Sequence, residues 1–102
     1  MNRIVIEKLP HLKELCKRYH VSTMYLFGSA ATDAFNDKSD IDFLISFHNN
    51  VSLEEYADNY FDLLFEIEDI FGRKIDLVTE KTLSNPYFIR SVDQTKQLIY
   101  AA

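Results

Sequence analysis

Residues 21–47 read VSTMYLFGSAATDAFNDKSDIDFLISF, and this stretch decides the fold. β-branched, aromatic and apolar residues dominate from Val21 to Phe27, and the run stops at Gly28, which predicts a strand entering a tight turn. Ser29 to Ala34 look like the start of a short helix. A second strand is predicted from Asp40 to Phe47. There Ile41, Phe43, Ile45 and Phe47 alternate toward one face, while Leu44 adds an apolar residue to the other, so the strand centre is buried on both sides.

Working outward, Leu9 to Tyr19 reads as a short helix with Leu9, Leu12, Leu15, Cys16 and Tyr19 on one face and Pro10 tolerated in its first turn. Downstream, Val51 to Phe71 forms an amphipathic helix. Its apolar positions, among them Tyr56, Tyr60, Leu63, Leu64, Ile67 and Phe71, recur at three- and four-residue steps. Ser52 is the predicted N-cap, Glu54 and Glu55 sit where the helix dipole favours anions, and Gly72 is a natural C-cap. Lys74 to Val78 reads as a third strand. Asn85 and Pro86 open a last helix, about Pro86 to Asp93. Lys96 to Tyr100 reads as an edge strand or a frayed end. The order helix, strand, helix, strand, helix, strand, helix predicts an α/β (α+β) fold, a short mixed sheet with flanking helices, formed by residues 1–102 as a single domain.

The composition sets the function classes. A chain of 102 residues hides roughly 65% of its unfolded surface, enough for one core without metal or disulfide staples. A hydrophobic content of 47% excludes intrinsic disorder. The lone Cys16 has no disulfide partner and is expected in the core. No apolar run approaches the roughly 18 residues of a membrane span, and the N-terminus lacks a signal-peptide core, so a cytoplasmic protein without a membrane partner is expected.

The net charge is −5, which argues against direct DNA binding. The deficit is local: Val51 to Phe71 holds seven of the 16 acids and none of the 11 bases, so the remainder carries +2. That helix is read as a solvated acidic face, or else its acids or the aromatics Tyr56, Tyr60 and Phe61 form part of a partner interface.

Three pieces of sequence carry chemistry: Gly28-Ser29, Ser39-Asp40-Ile41-Asp42, and Asp76. On a strand, residues two apart project to one face, so Asp40 and Asp42 would present carboxylates side by side while Ile41 turns inward. Such a pair repels unless a hard divalent cation neutralises it, and Mg²⁺ is the natural candidate. Asp76 stands at a matching position of the third strand and could complete a three-carboxylate site able to hold two metals. Gly28 lets the backbone approach phosphate oxygens, Ser29 offers a hydroxyl, and N–H groups at the start of the following helix supply donors. A nucleoside triphosphate would fit both halves at once.

Gly28-Ser29, Asp40-Ile41-Asp42 and Asp76 together resemble, in order and spacing, the minimal nucleotidyltransferases (MNT proteins) of the polymerase-β-like superfamily. The resemblance covers nearly the whole chain. It implies two Mg²⁺ ions and transfer of AMP from ATP to a hydroxyl. Asp40 and Asp42 would ligate both metals, Asp76 the catalytic one while helping to deprotonate the acceptor, and Gly28, Ser29 and Ser39 would bind the nucleotide. MNT proteins are commonly antitoxins paired with a helical HEPN-domain ribonuclease, and the implied acceptor is a tyrosine of that toxin.

The family often reads Gly-Ser-x-Ala-Arg-Gly, whereas this chain has Gly28-Ser29-Ala30-Ala31-Thr32-Asp33. Thr32 replaces the arginine, Asp33 adds negative charge, and Lys38, Arg73 or Lys74 are candidates to compensate. Two alternatives stand beside the adenylyltransferase reading. One is an antitoxin that neutralises by binding alone. The other is transfer to a small molecule of the aminoglycoside type, for which a homo-oligomer would have to build the acceptor pocket. His11, His20 and His48 lack any metal-ligand spacing and are read as surface or packing residues.

Overall fold

Val21–Phe27 forms strand β1 over the predicted span. The computed structural model describes residues 1–32, 36 and 39–102. Before β1 come helices α1 (Arg3–Glu7) and α2 (Leu9–Arg18); after it come β2 (Ile41–Phe47), α3 (Leu53–Phe71), β3 (Ile75–Thr79), α4 (Pro86–Thr95) and β4 (Gln97–Ala101). Single 3₁₀ turns at Gly28–Ala31 and Glu80–Thr82 follow β1 and β3. The sheet runs β3-β2-β1-β4, with β1 antiparallel to both neighbours and β2 parallel to β3. It is the mixed sheet expected.

Alternation along β2 places apolar side chains on both faces. Ile41, Phe43 and Ile45 are buried in the main core with Leu12, Leu15 and Cys16 of α2 and Leu63 and Ile67 of α3. Leu44 points the other way, into a smaller cluster with Phe27 and Val92 of α4. Burial pushes the Cys16 thiol up to about 12, so it remains a packed, protonated group. Long α3 is held at both ends. The Ser52 hydroxyl accepts from Glu55 N–H while the Glu55 carboxylate accepts from Ser52 N–H, and Gly72 closes the last turn at φ 61° with its N–H donating to Glu68 O at 2.8 Å.

The structure departs from the sequence expectations mainly at ends. No sequence signal announces the short α1; Asn2 caps it by accepting from Ile4 N–H, and five residues are too few to show a period. Tyr19 is the C-cap of α2 rather than its last turn, and Asp40 precedes β2 rather than opening it. β3 is shifted one residue along, and α4 runs on to Thr95. The tail is a true edge strand, paired with β1. The expected helix from Ser29 is instead a 3₁₀ turn that ends at Ala31, with Thr32 N–H donating to Ser29 O at 3.1 Å. The Asp33, Ala34 and Lys38 readings lie outside the described residues.

Candidate active site

The ends of three strands meet at one edge of the sheet. Phe27 of β1 is in register with Asp42 of β2, and Asp42 is in register with Asp76 of β3. Gly28, the residue after Phe27, therefore stands directly against the Asp42 side chain. Its φ is +71°, and a Cβ at this position would collide with Asp42 Oδ2 and lie 3.3 Å from Cγ. Only glycine meets both the left-handed backbone and the close approach. Across the turn, Gly28 N–H donates to Thr95 Oγ1 at 3.2 Å.

The carboxylates interact. Burial, then the charges of Asp76 and Asp40, then a hydrogen bond with Asp76 push the Asp42 carboxyl up to about 6. Asp42 is half-buried, whereas Asp40 and Asp76 are exposed. Asp40 leans toward Lys74, with Oδ2 3.9 Å from Nζ. Among the described residues no three His, Cys, Asp or Glu side chains are already gathered as a metal cage. What fits a hard divalent cation is the donor chemistry: carboxylate oxygens only, crowded enough that Asp42 resists ionising.

Ser39 lies in the loop before β2, where its hydroxyl oxygen accepts from Asn36 N–H at 3.1 Å and its carbonyl accepts from Arg73 Nη1 at 3.3 Å. Ser29 is half-buried, and its carbonyl accepts from both the Thr32 amide and the Thr32 hydroxyl. Thr32 thus closes the turn instead of reaching outward as an arginine would. Of the cations that could substitute for it, Arg73 and Lys74 border the loop that carries Asp40.

The expected donors of an α-helix N-terminus after Ser29 are replaced by a 3₁₀ turn, and Gly28 N–H is taken by Thr95. The aromatics named on α3 divide: Tyr60 Oη donates to Leu77 O at 2.6 Å and Tyr56 packs edge-on against Phe47 at 4.9 Å, while Phe61 is exposed. The sequence does not single out Thr95, since nothing local marks a threonine near a helix end as the partner of an amide in a distant turn. A concavity of about 480 Å³ lies on the sheet face that Asp42 shares with Leu44 and Ser46, but its walls include Tyr25, Ile89, Asp93 and Lys96 and none of the three acids.

The family model of the polymerase beta nucleotidyltransferases matches residues 10–102. This chain belongs to that family. Among curated relatives, a chain bearing the protein adenylyltransferase name MJ1379, from Methanocaldococcus jannaschii, is 37% identical over 90 residues, covering 88% of this chain and 86% of its own. Protein adenylyltransferase MntA of Thermococcus cleftensis is 31% identical over 75 residues, covering 74% and 72%. A solved structure described as a minimal nucleotidyltransferase superposes with TM-score 0.73 at 24% identity and 95% coverage of both chains. A Shewanella oneidensis structure, described as a tri-AMPylated HEPN toxin in complex with MNT antitoxin, matches with TM-score 0.66 at 15% identity, covering 95% and 72%. The nucleotidyltransferase has a small mixed-sheet fold like that of the solved structures, with Gly28 and Ser29 in the turn after β1, Asp40 just before β2, Asp42 in β2 and Asp76 in β3.

Proposed function

We propose that this nucleotidyltransferase transfers AMP from ATP to a tyrosine hydroxyl of a HEPN-domain toxin and acts as its antitoxin. The observation that carries the reading is the register of Asp42 with Asp76, beside a glycine turn that tolerates no side chain. Relatives named protein adenylyltransferases and fold neighbours described as MNT antitoxins support it. Asp40, Asp42 and Asp76 would hold Mg²⁺, two ions in the full site, which would neutralise charge on the phosphates and on the attacking and leaving oxygens. Ser29 would offer its hydroxyl to the phosphates, for which Gly28 leaves room.

In the transfer the phenol oxygen bonds to the α-phosphorus, the bond to the bridging oxygen breaks, and pyrophosphate leaves. Asp76, exposed at the strand end, takes the phenolic proton. Arg73 and Lys74 place positive charge beside Ser39 and Asp40, in the loop before β2.

Co-expression with the toxin separates chemistry from occlusion. Wild type restores growth, whereas a folded Asp40→Asn, Asp42→Asn double variant that still binds the toxin does not. Full neutralisation by that variant would contradict the catalytic reading.

A further inference from the structure

The Gly28-Ser29 turn is held from a distant part of the chain. Thr95 Oγ1, in the last turn of α4, accepts Gly28 N–H at 3.2 Å while its hydroxyl donates to Ser91 O at 3.2 Å. With its proton committed to Ser91, the hydroxyl turns a lone pair toward Gly28. Phe88 of the same helix packs edge-on against Phe27, the residue before Gly28, with ring centroids 5.9 Å apart. The turn is thus pinned between two contacts: on one side the Asp42 carboxylate, which excludes a Cβ, and on the other the end of α4.

We propose that Thr95 is a positioning residue for nucleotide binding, fixing the Gly28-Ser29 turn so that it and Asp42 face the same phosphates. This rests on the function proposed above. It assigns the Gly28 amide to the protein itself and leaves the glycine's role toward nucleotide as clearance. A loosened turn samples positions in which Gly28 crowds Asp42 or Ser29 turns from the site, so the loss falls on nucleotide binding more than on turnover.

The test uses Thr95→Val, which keeps the branched shape but removes the acceptor, with Thr95→Ser as the conservative rescue and Thr95→Ala as a second deletion should valine disturb packing. The chain contains two glycines, so ¹⁵N-glycine labelling gives two amide signals. Gly72, whose N–H donates to Glu68 O within the α3 cap, is the internal control. In Thr95→Val the Gly28 amide is expected to exchange about tenfold faster while Gly72 is unchanged. The Kd for a fluorescent ATP analogue with Mg²⁺ is expected to rise about tenfold, with kcat within about twofold of wild type. Thr95→Ser restores both. Unchanged Gly28 exchange in Thr95→Val and Thr95→Ala would overturn the tether, as would a serine variant that behaves like valine. Faster exchange with unchanged affinity would overturn its role in binding. The exchange measurement needs no substrate, so a wild type that binds no nucleotide would sink the proposed function while the tether is still decided.

Discussion

Asp42 and Asp76 stand side by side in register on parallel strands, and burial, followed by the charges of Asp76 and Asp40, pushes the Asp42 carboxyl up to about 6. Two neighbouring strands do not place acids side by side at a half-buried position for stability. The pair is costly without a counter-charge, and that cost makes it sensitive to pH and to metal.

The sign of the pH effect follows from the raised value. The Asp42 pKa is higher in the fold, about 6, than the ordinary 3.8, so its favourable contribution is present below about pH 4 and is lost as pH rises through 6. With EDTA, Asp42→Asn should therefore raise Tm relative to wild type near neutral pH, with the gain shrinking toward pH 4. Mg²⁺ should raise the wild-type Tm and do much less for the variant. Thermal melts at the two pH values, with and without metal, decide it. An Asp42→Asn variant that is equally destabilised at both would mean that the carboxylate is a structural acceptor.

The two left-handed glycines should separate strain from site geometry. At Gly72, φ is +61° and nothing lies within 4 Å of the point a Cβ would occupy, so Gly72→Ala should cost about 1 kcal/mol and leave nucleotide binding intact. At Gly28 the added methyl meets the Asp42 carboxylate, and Gly28→Ala should cost more than about 2 kcal/mol and abolish nucleotide binding. Urea denaturation and titration of an ATP analogue measure both. Nucleotide binding by Gly28→Ala at wild-type affinity would remove the turn from the site.

Tyr60 ties α3 to the edge strand that carries Asp76. Its hydroxyl donates to Leu77 O at 2.6 Å, and burial followed by the Asp76 charge raises its pKa. Tyr60→Phe should lower stability by about 1 kcal/mol, the ordinary net worth of such a bond. Denaturant unfolding gives the number. A neutral effect would mean that water replaces the phenol at the strand edge.

Much of this is legible in the sequence because the signals are local. The β1 run ending at Gly28, the Ser52 cap of α3 and the alternation through Ile41, Phe43 and Ile45 each depend on near neighbours. The Asp42 and Asp76 pairing is legible only as a spacing, but a parallel β2–β3 pair joined by one helix leaves few registers. The turn after Gly28 reads as an α-helix start and folds as a 3₁₀ turn, since Ser-Ala-Ala suits either geometry and Thr32 leaves it with extended backbone. Thr95 escapes because its partner lies 67 positions earlier. The β4 pairing with β1 is equally non-local, so Lys96 to Tyr100 has no decisive local pattern.

Asp40, Asp42 and Asp76 are proposed to carry a metal-dependent AMP transfer, and intact-mass analysis of the proposed toxin partner after incubation with ATP is the test of that chemistry. Wild type with Mg²⁺ is expected to leave an AMP adduct on a toxin tyrosine, EDTA to abolish it, and folded Asp42→Asn to lose at least about a hundredfold. An adduct formed by Asp42→Asn at the wild-type rate, or no adduct from wild type with folded toxin, ATP and Mg²⁺, would contradict it.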